Sequence, residues 1–160
     1  VNVLKGYKLP KVAVKWPNDI LSSNKKICGI LVENVMLKDE IKCSYIGIGL
    51  NVNQTIFPNH LNATSILKET NKEVNIDAVL NHLISELKTQ VSYITNETTN
   101  VLKKNYLNHL FKKNTPMMFK NNKNVVFMGK IIGVSSVGKL QIELEDDSIE
   151  EFGIKEIKFA

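Results

Sequence analysis

The sequence predicts an α+β chain, with a mixed or antiparallel sheet and helices first and a small all-β unit after them. Three observations carry this. Apolar residues alternate with period two between positions 12 and 52, recur at helical spacing from Ile76, and after Pro116 fall in short runs separated by polar turns. A length of 160 residues suits one ordinary domain with a small appendage, and the change of pattern divides the chain into residues 1–113 and 114–160.

Val12, Val14 and Trp16 alternate with Ala13 and Lys15, as in a strand with one buried face. Pro17-Asn18-Asp19 stops it, because proline cannot donate to a ladder and Asn and Asp favour turns. Strands at 27–35 and 43–52 follow, joined by the polar turn Lys38-Asp39-Glu40. No helical segment separates them, so an antiparallel meander is expected rather than a parallel crossover. From Asn75, a plausible cap, the stripe Ile76, Val79, Leu80, Leu83, Ile84, Leu87, Val91 and Ile94 predicts an amphipathic helix. A second helix is predicted at 99–112, ending before Pro116 because the residue preceding proline leaves the helical region. Strands at 117–120, 125–134, 139–144, 148–152 and near Ile157 predict a small barrel.

Composition narrows the function classes. With 43% hydrophobic and 23% charged residues, eight Gly and four Pro, the chain is a folded protein, not a disordered tail. Its formal charge of +5 would suit nucleic acid, but all 21 basic residues are Lys, and the guanidinium fork that reads phosphates and guanine edges is missing. Nucleic acid is therefore disfavoured as a partner. Cys28 and Cys43 lie in apolar runs without zinc spacing and are expected to be reduced core thiols, and no metal site is expected of the protein. No apolar run reaches the roughly 18 residues of a membrane helix, and VNVLKGYKLP has no signal-peptide form, which together lead to the expectation of a cytoplasmic protein with no membrane partner. That same N-terminus, with neither Met nor a helix cap, reads as the cut end of a longer chain.

Three clusters hold the chemistry. Lys15-Trp16-Pro17-Asn18-Asp19-Ile20 offers an amine, an amide and a carboxylate at a strand end, or a turn that caps its own backbone. In Lys26-Ile27-Cys28-Gly29-Ile30-Leu31-Val32-Glu33, a strand-interior glycine marks either a close ligand or a bulge. Glu33 is either outward-facing or a buried partner for a lysine. In Tyr45-Ile46-Gly47-Ile48-Gly49-Leu50-Asn51-Val52-Asn53, Gly47 and Gly49 share a face and, with Gly29, would leave a flat floor for a planar ligand. No GxGxxG is present, so the pair is not a dinucleotide fingerprint. Asn51 and Asn53 share one face, where amides suit a phosphate, a ribose or a metal-bound water.

KWPNDI, KKICGILVE and GIGLNVN, in this order, closely resemble the biotin protein ligase family, and the resemblance continues through Ala63-Thr64-Ser65 to residues 129–159. It implies a catalytic fold like the class II aminoacyl-tRNA synthetases and biotinyl/lipoyl ligases, incomplete here, with an SH3-like C-terminal barrel. It also implies a two-step reaction: ATP and biotin form biotinyl-5′-AMP, and a lysine of the biotin carboxyl carrier protein or domain attacks it. The acceptor would belong to acetyl-CoA carboxylase or another biotin-dependent carboxylase. The biotin carboxylate must approach an anionic α-phosphate, and two such charges roughly 4 Å apart repel by several kcal/mol at an effective dielectric of about 20, so cations are required.

By position in the motifs, the resemblance makes Lys26 and Lys15 catalytic. Lys26, Gly29, Ile30, Gly47 and Gly49 would meet biotin, and Lys15, Asn18, Asp19, Asn51 and Ser65 the nucleotide, whose magnesium leans mainly on phosphate oxygens. Cys28 departs from the small Gly or Ala common before the motif glycine. The larger departure is the family's Gly- and Arg-rich biotin loop, with the Ser-Thr-Asn segment before it. Neither occurs in these 160 residues, so the chain reads as the C-terminal part of a ligase, inactive or weakly active and weakly biotin-binding by itself. Two alternatives stand beside this: a lipoate-protein ligase-like enzyme, and a non-catalytic carrier-docking or regulatory half. Edge pairing of the 27–52 meander offers a route to a homodimer, though no residue demands one.

Overall fold

A computed structural model describes residues 1–94 and 99–160. Packing divides them after Leu102, inside a helix, whereas the sequence pattern changes at 113/114. In the first unit, α1 (Asn2–Gly6) precedes β1 (Ala13–Lys15), β2 (Asp19–Ser22), β3 (Lys25–Leu37) and β4 (Glu40–Leu50). The sheet has the order β1-β2-β3-β4 with every pair antiparallel, which is the expected meander. Residue 19 does not end a strand but opens one: β2 has only Ile20 and Leu21 as apolar residues, too few for a period to be visible. The turn between β3 and β4 places Lys38 and Asp39 at φ 49° and 64°, the left-handed pair of a tight hairpin whose twist matches its strands.

One face of the sheet near β1 and β2 belongs to the core. Val14, Ile20 and Cys28 are buried there in one cross-strand row, with half-buried Leu50 at its end. The far half of the β3–β4 ribbon is exposed on both faces, with Leu31 at 59% and Val32 at 51%. This corrects the expectation for Cys43, which is an exposed free thiol on that ribbon, while Cys28 is buried and free as expected. Burial pushes the Cys28 thiol up to about 11, and its Sγ donates to the Gly29 carbonyl at 3.6 Å. Because the thiolate is the nucleophile, iodoacetamide at pH 8 should alkylate Cys43 and spare Cys28 until the chain is unfolded. Intact mass read before and after denaturant checks this.

Two helices complete the unit, α2 (Ile66–Thr70) and α3 (Ile76–Ser92). The Asn75 side chain caps α3 by accepting from Ala78 N at 2.9 Å. Its stripe is shallowly used: Val79 is buried, but Ile76, Leu80, Ile84 and Val91 are exposed. α1 lies against it, with Asn2 Nδ2 donating to Glu86 Oε2 at 2.9 Å.

The next helix, α4 (Thr99–Asn108), stops short of the predicted residue 112. Its end tightens into bonds from His109 N to Tyr106 O and from Leu110 N to Leu107 O, and Lys112 turns left-handed at φ 52°. Then come β5 (Pro116–Asn121), β6 (Val126–Val134), β7 (Leu140–Leu144), β8 (Ile149–Phe152) and β9 (Ile157–Phe159), close to the predicted strands. The sheet order is β8-β7-β6-β5-β9, so the expected small all-β unit is one five-stranded antiparallel sheet whose ladder leaves β8 and β9 as edges among the described residues. Phe119, Ile131, Leu140 and Ile142 are wholly buried inside it, and the Phe119 ring packs against Phe127 and Phe159.

Gly129 is demanded by this packing, since a Cβ there would stand 2.5 Å from Ile142 Cγ2 and 3.1 Å from Glu143 O. Gly129→Ala should destabilise the second unit by about 1–3 kcal/mol, the usual cost of overpacking. Urea denaturation followed at that unit's residues measures it.

Candidate functional site

Antiparallel register gathers residues from all three motifs. Lys15 pairs with Asp19, Asp19 with Gly29, and Gly29 with Gly49, so one cross-strand row runs over β1, β2, β3 and β4. Directly opposed residues share a face, and this row lies on the face opposite to Val14, Ile20 and Cys28. The next row on the same face pairs Leu31 with Gly47.

Lys26 reaches this face through a bulge. The pairing of β2 with β3 shifts between Ile20 and Leu21, from Cys28 to Lys26, which leaves Ile27 without a partner on β2 and fully buried. A bulge re-aims side chains. The Lys26 ammonium lies 2.5 Å from Asp19 Oδ1 and 3.2 Å from where a Cβ on Gly29 would stand. Lys26 and Asp19 side chains are 49% and 27% exposed, so the pair faces solvent and adds little to stability.

The glycines at 47 and 49 have no folding reason. A Cβ at Gly49 would meet only Gly29 O at 3.9 Å, and one at Gly47 only Leu31, at 3.8 Å and beyond. Neither residue has a left-handed φ. The floor beside the Lys26 ammonium is thus kept bare where side chains would fit, unlike Gly129, which the core requires.

The remaining expected residues divide. Asn18 contributes its carbonyl to Ile30 N at 2.9 Å, and its side chain is exposed. Ile30 points its side chain to the other face, opposite Ile48. Asn51 donates its side-chain amide to Thr64 O at 2.9 Å, and Asn53 makes a reciprocal pair with Val74, donating to its carbonyl at 2.8 Å and accepting from its N–H at 3.2 Å. Ser65 is wholly buried, donates to Gln54 O at 2.6 Å and caps α2 by accepting from Lys68 N at 3.1 Å, so its hydroxyl is engaged within the protein. Thr64, named so far only within the resemblance, donates its hydroxyl to the Glu69 carboxylate at 2.8 Å, a partnership and a residue that the sequence pattern did not reveal. The one available signal was Ser65 as an N-cap before a short helix.

No group of three or more His, Cys, Asp or Glu able to hold a metal exists among the described residues. Asp19, the one carboxylate in the row, is engaged by Lys26. None of the described helices is long and apolar enough to cross a membrane.

Comparison with known proteins places this arrangement. The model of the Biotin/lipoate A/B protein ligase family matches residues 1–51, which contain the whole row. The bifunctional ligase/repressor BirA of Bacillus spizizenii and that of Bacillus subtilis are each 34% identical over 152 residues. Each match covers 92% of this chain and 44% of the relative, so the chain spans less than half the length of the curated relatives it matches. Among solved structures, a biotin protein ligase of Aquifex aeolicus superposes with a TM-score of 0.79 at 24% identity, over 99% of this chain and 70% of that one. The same enzyme in complex with biotin and ATP gives 0.77 at 24% identity, over 99% and 67%. These structural likenesses establish the fold.

Proposed function

Since residues 1–51 match the model of the biotin/lipoate A/B protein ligase family, we propose that the protein activates biotin with ATP and transfers it to a lysine of a biotin carboxyl carrier domain. The observation that carries this reading is one ammonium set against a bare floor: Lys26 lies against Gly29, and Gly49 and Gly47 extend that face where side chains would fit. A planar, uncharged bicycle needs a flat surface with backbone dipoles, and its carboxylate needs a cation at one end.

In the first step a biotin carboxylate oxygen attacks the α-phosphorus of ATP. A new P–O bond forms, the bond to the β-phosphate oxygen breaks, and pyrophosphate leaves. Lys26 offsets the negative charge of the two approaching anions, and Asp19 holds the ammonium over the floor until substrate displaces it. Lys15, in the same row, adds a second positive charge on the β1 side, where Asn18 also lies. In the second step the carrier lysine's neutral amine attacks the acyl carbon, the C–N bond forms, the C–O bond to AMP breaks, and the amine's spare proton passes to solvent. Lys26 then stabilises the departing phosphate.

Labelled ATP–pyrophosphate exchange tests the reading. The full-length protein should catalyse exchange only when biotin is present, and lipoate in place of biotin should not support it. Exchange driven by lipoate alone would transfer the reading to the lipoate branch of the same family, and exchange with neither acid would remove it.

A further inference from the structure

Lys26 is the second residue of β3, which follows the turn residues Ser23 and Asn24, both left-handed at φ 46° and 67°. On one side its backbone pairs with Leu21 of β2. β4, which flanks the rest of β3, leaves the sheet at Leu50 and does not reach Lys26; the last bond there is Asn51 N to Ile27 O at 2.9 Å. A different segment takes over. Lys26 N donates to Asn62 O at 2.8 Å and Thr64 N donates to Lys26 O at 2.9 Å, a parallel bridge centred on Ala63.

That segment is irregular and is held by side chains. Asn51 Nδ2, at the point where β4 departs, donates to Thr64 O at 2.9 Å. Thr64 Oγ1 donates to Glu69 Oε1 at 2.8 Å, and Thr64 is 1% exposed, so water does not replace this charge-assisted bond. Asn62 Nδ2 adds a bond to Asn24 O at 3.2 Å. We propose that Thr64, held by Glu69 and Asn51, is a positioning residue that splints the backbone of Lys26. A flexible side chain such as lysine can meet a developing charge repeatedly only if its Cα is fixed, and a misplacement of 1 Å is costly. The consequence for catalysis rests on the ligase reading above; the splint itself does not.

The test uses Thr64→Val and Glu69→Leu, which remove the bond, and Thr64→Ser and Glu69→Gln, which keep a donor or an acceptor in place. Amide hydrogen exchange of the full chain without substrates is the first readout. Thr64→Val and Glu69→Leu should speed exchange at the Lys26 and Thr64 amides about five- to tenfold, as expected for one lost buried bond. The amides of Val79 and Ile131 should not change, and the two conservative variants should behave as wild type. The second readout is biotin-dependent exchange, in which kcat should fall in the same two variants while KM for biotin and ATP holds. If Thr64→Val does not fold, the contrast between Glu69→Leu and Glu69→Gln carries the test. Unchanged Lys26 exchange in Glu69→Leu, or equal effects of Leu and Gln at 69, overturns the splint. Faster Lys26 exchange in a protein lacking any biotin-dependent activity upholds it and removes the ligase reading instead.

Discussion

Lys26→Ala should lower biotin-dependent ATP–pyrophosphate exchange by about 10²- to 10³-fold, the range seen when a preorganised donor to a developing anion is removed. The effect on folding should be small. The Lys26 side chain is 49% exposed and its partner Asp19 27%, and pairs this open to solvent are worth at most about 1 kcal/mol. The melting temperature therefore separates a lost charge from a lost fold. Lys26→Met, which keeps the aliphatic stem and removes the ammonium, should reproduce the loss. Undiminished exchange in either variant would strip Lys26 of its role. Asp19→Asn should cost less, because it loosens the ammonium without removing it.

Gly49→Val makes the second large prediction, in which stability and binding move apart. Its Cβ would meet only Gly29 O at 3.9 Å, and Gly49, the penultimate residue of β4, is exposed. Glycine there costs roughly 0.5–1 kcal/mol relative to a residue with a side chain, so the variant should melt at the same temperature or slightly higher. Its branched side chain would nevertheless stand on the floor beside Lys26. Affinity for biotin in isothermal titration should fall about 10- to 200-fold, the discrimination expected when a site gains an unwanted alkyl group. Gly129→Ala should behave in the opposite sense, losing stability because Ile142 occupies the space. Full biotin affinity in Gly49→Val would separate the floor from the ligand and leave those glycines unexplained.

Much of the fold was legible in the residues. The helix at α3 and the five strands after Pro116 follow from spacing alone, since each is a local pattern with local caps and turns. Other features depended on neighbours. The apolar stripe of α3 is real, yet Ile76 is 60% exposed and Leu80 50%, because periodicity names a face without naming what lies on it. Cys43 and Cys28 both lie in strands of the same hairpin, but one falls on the exposed ribbon and the other in the buried row with Val14 and Ile20. The difference is one of layers, not of local composition.

The site shows the same division. Sequence alone determined which residue types were present: a lysine before a strand glycine, two glycines on one face, and an Asn-Asp turn, in an order that resembles biotin ligases. The tertiary structure decided that Lys15, Asp19, Gly29 and Gly49 form one row, that the shift at Ile20/Leu21 brings Lys26 beside it, and that Asn51 and Ser65 spend their side chains within the protein. The physical reason is register. A slip of one residue between strands moves every side chain to the other face, and pairing between strands distant in sequence, together with a bulge that no local pattern announces, sets which face Lys26 reaches.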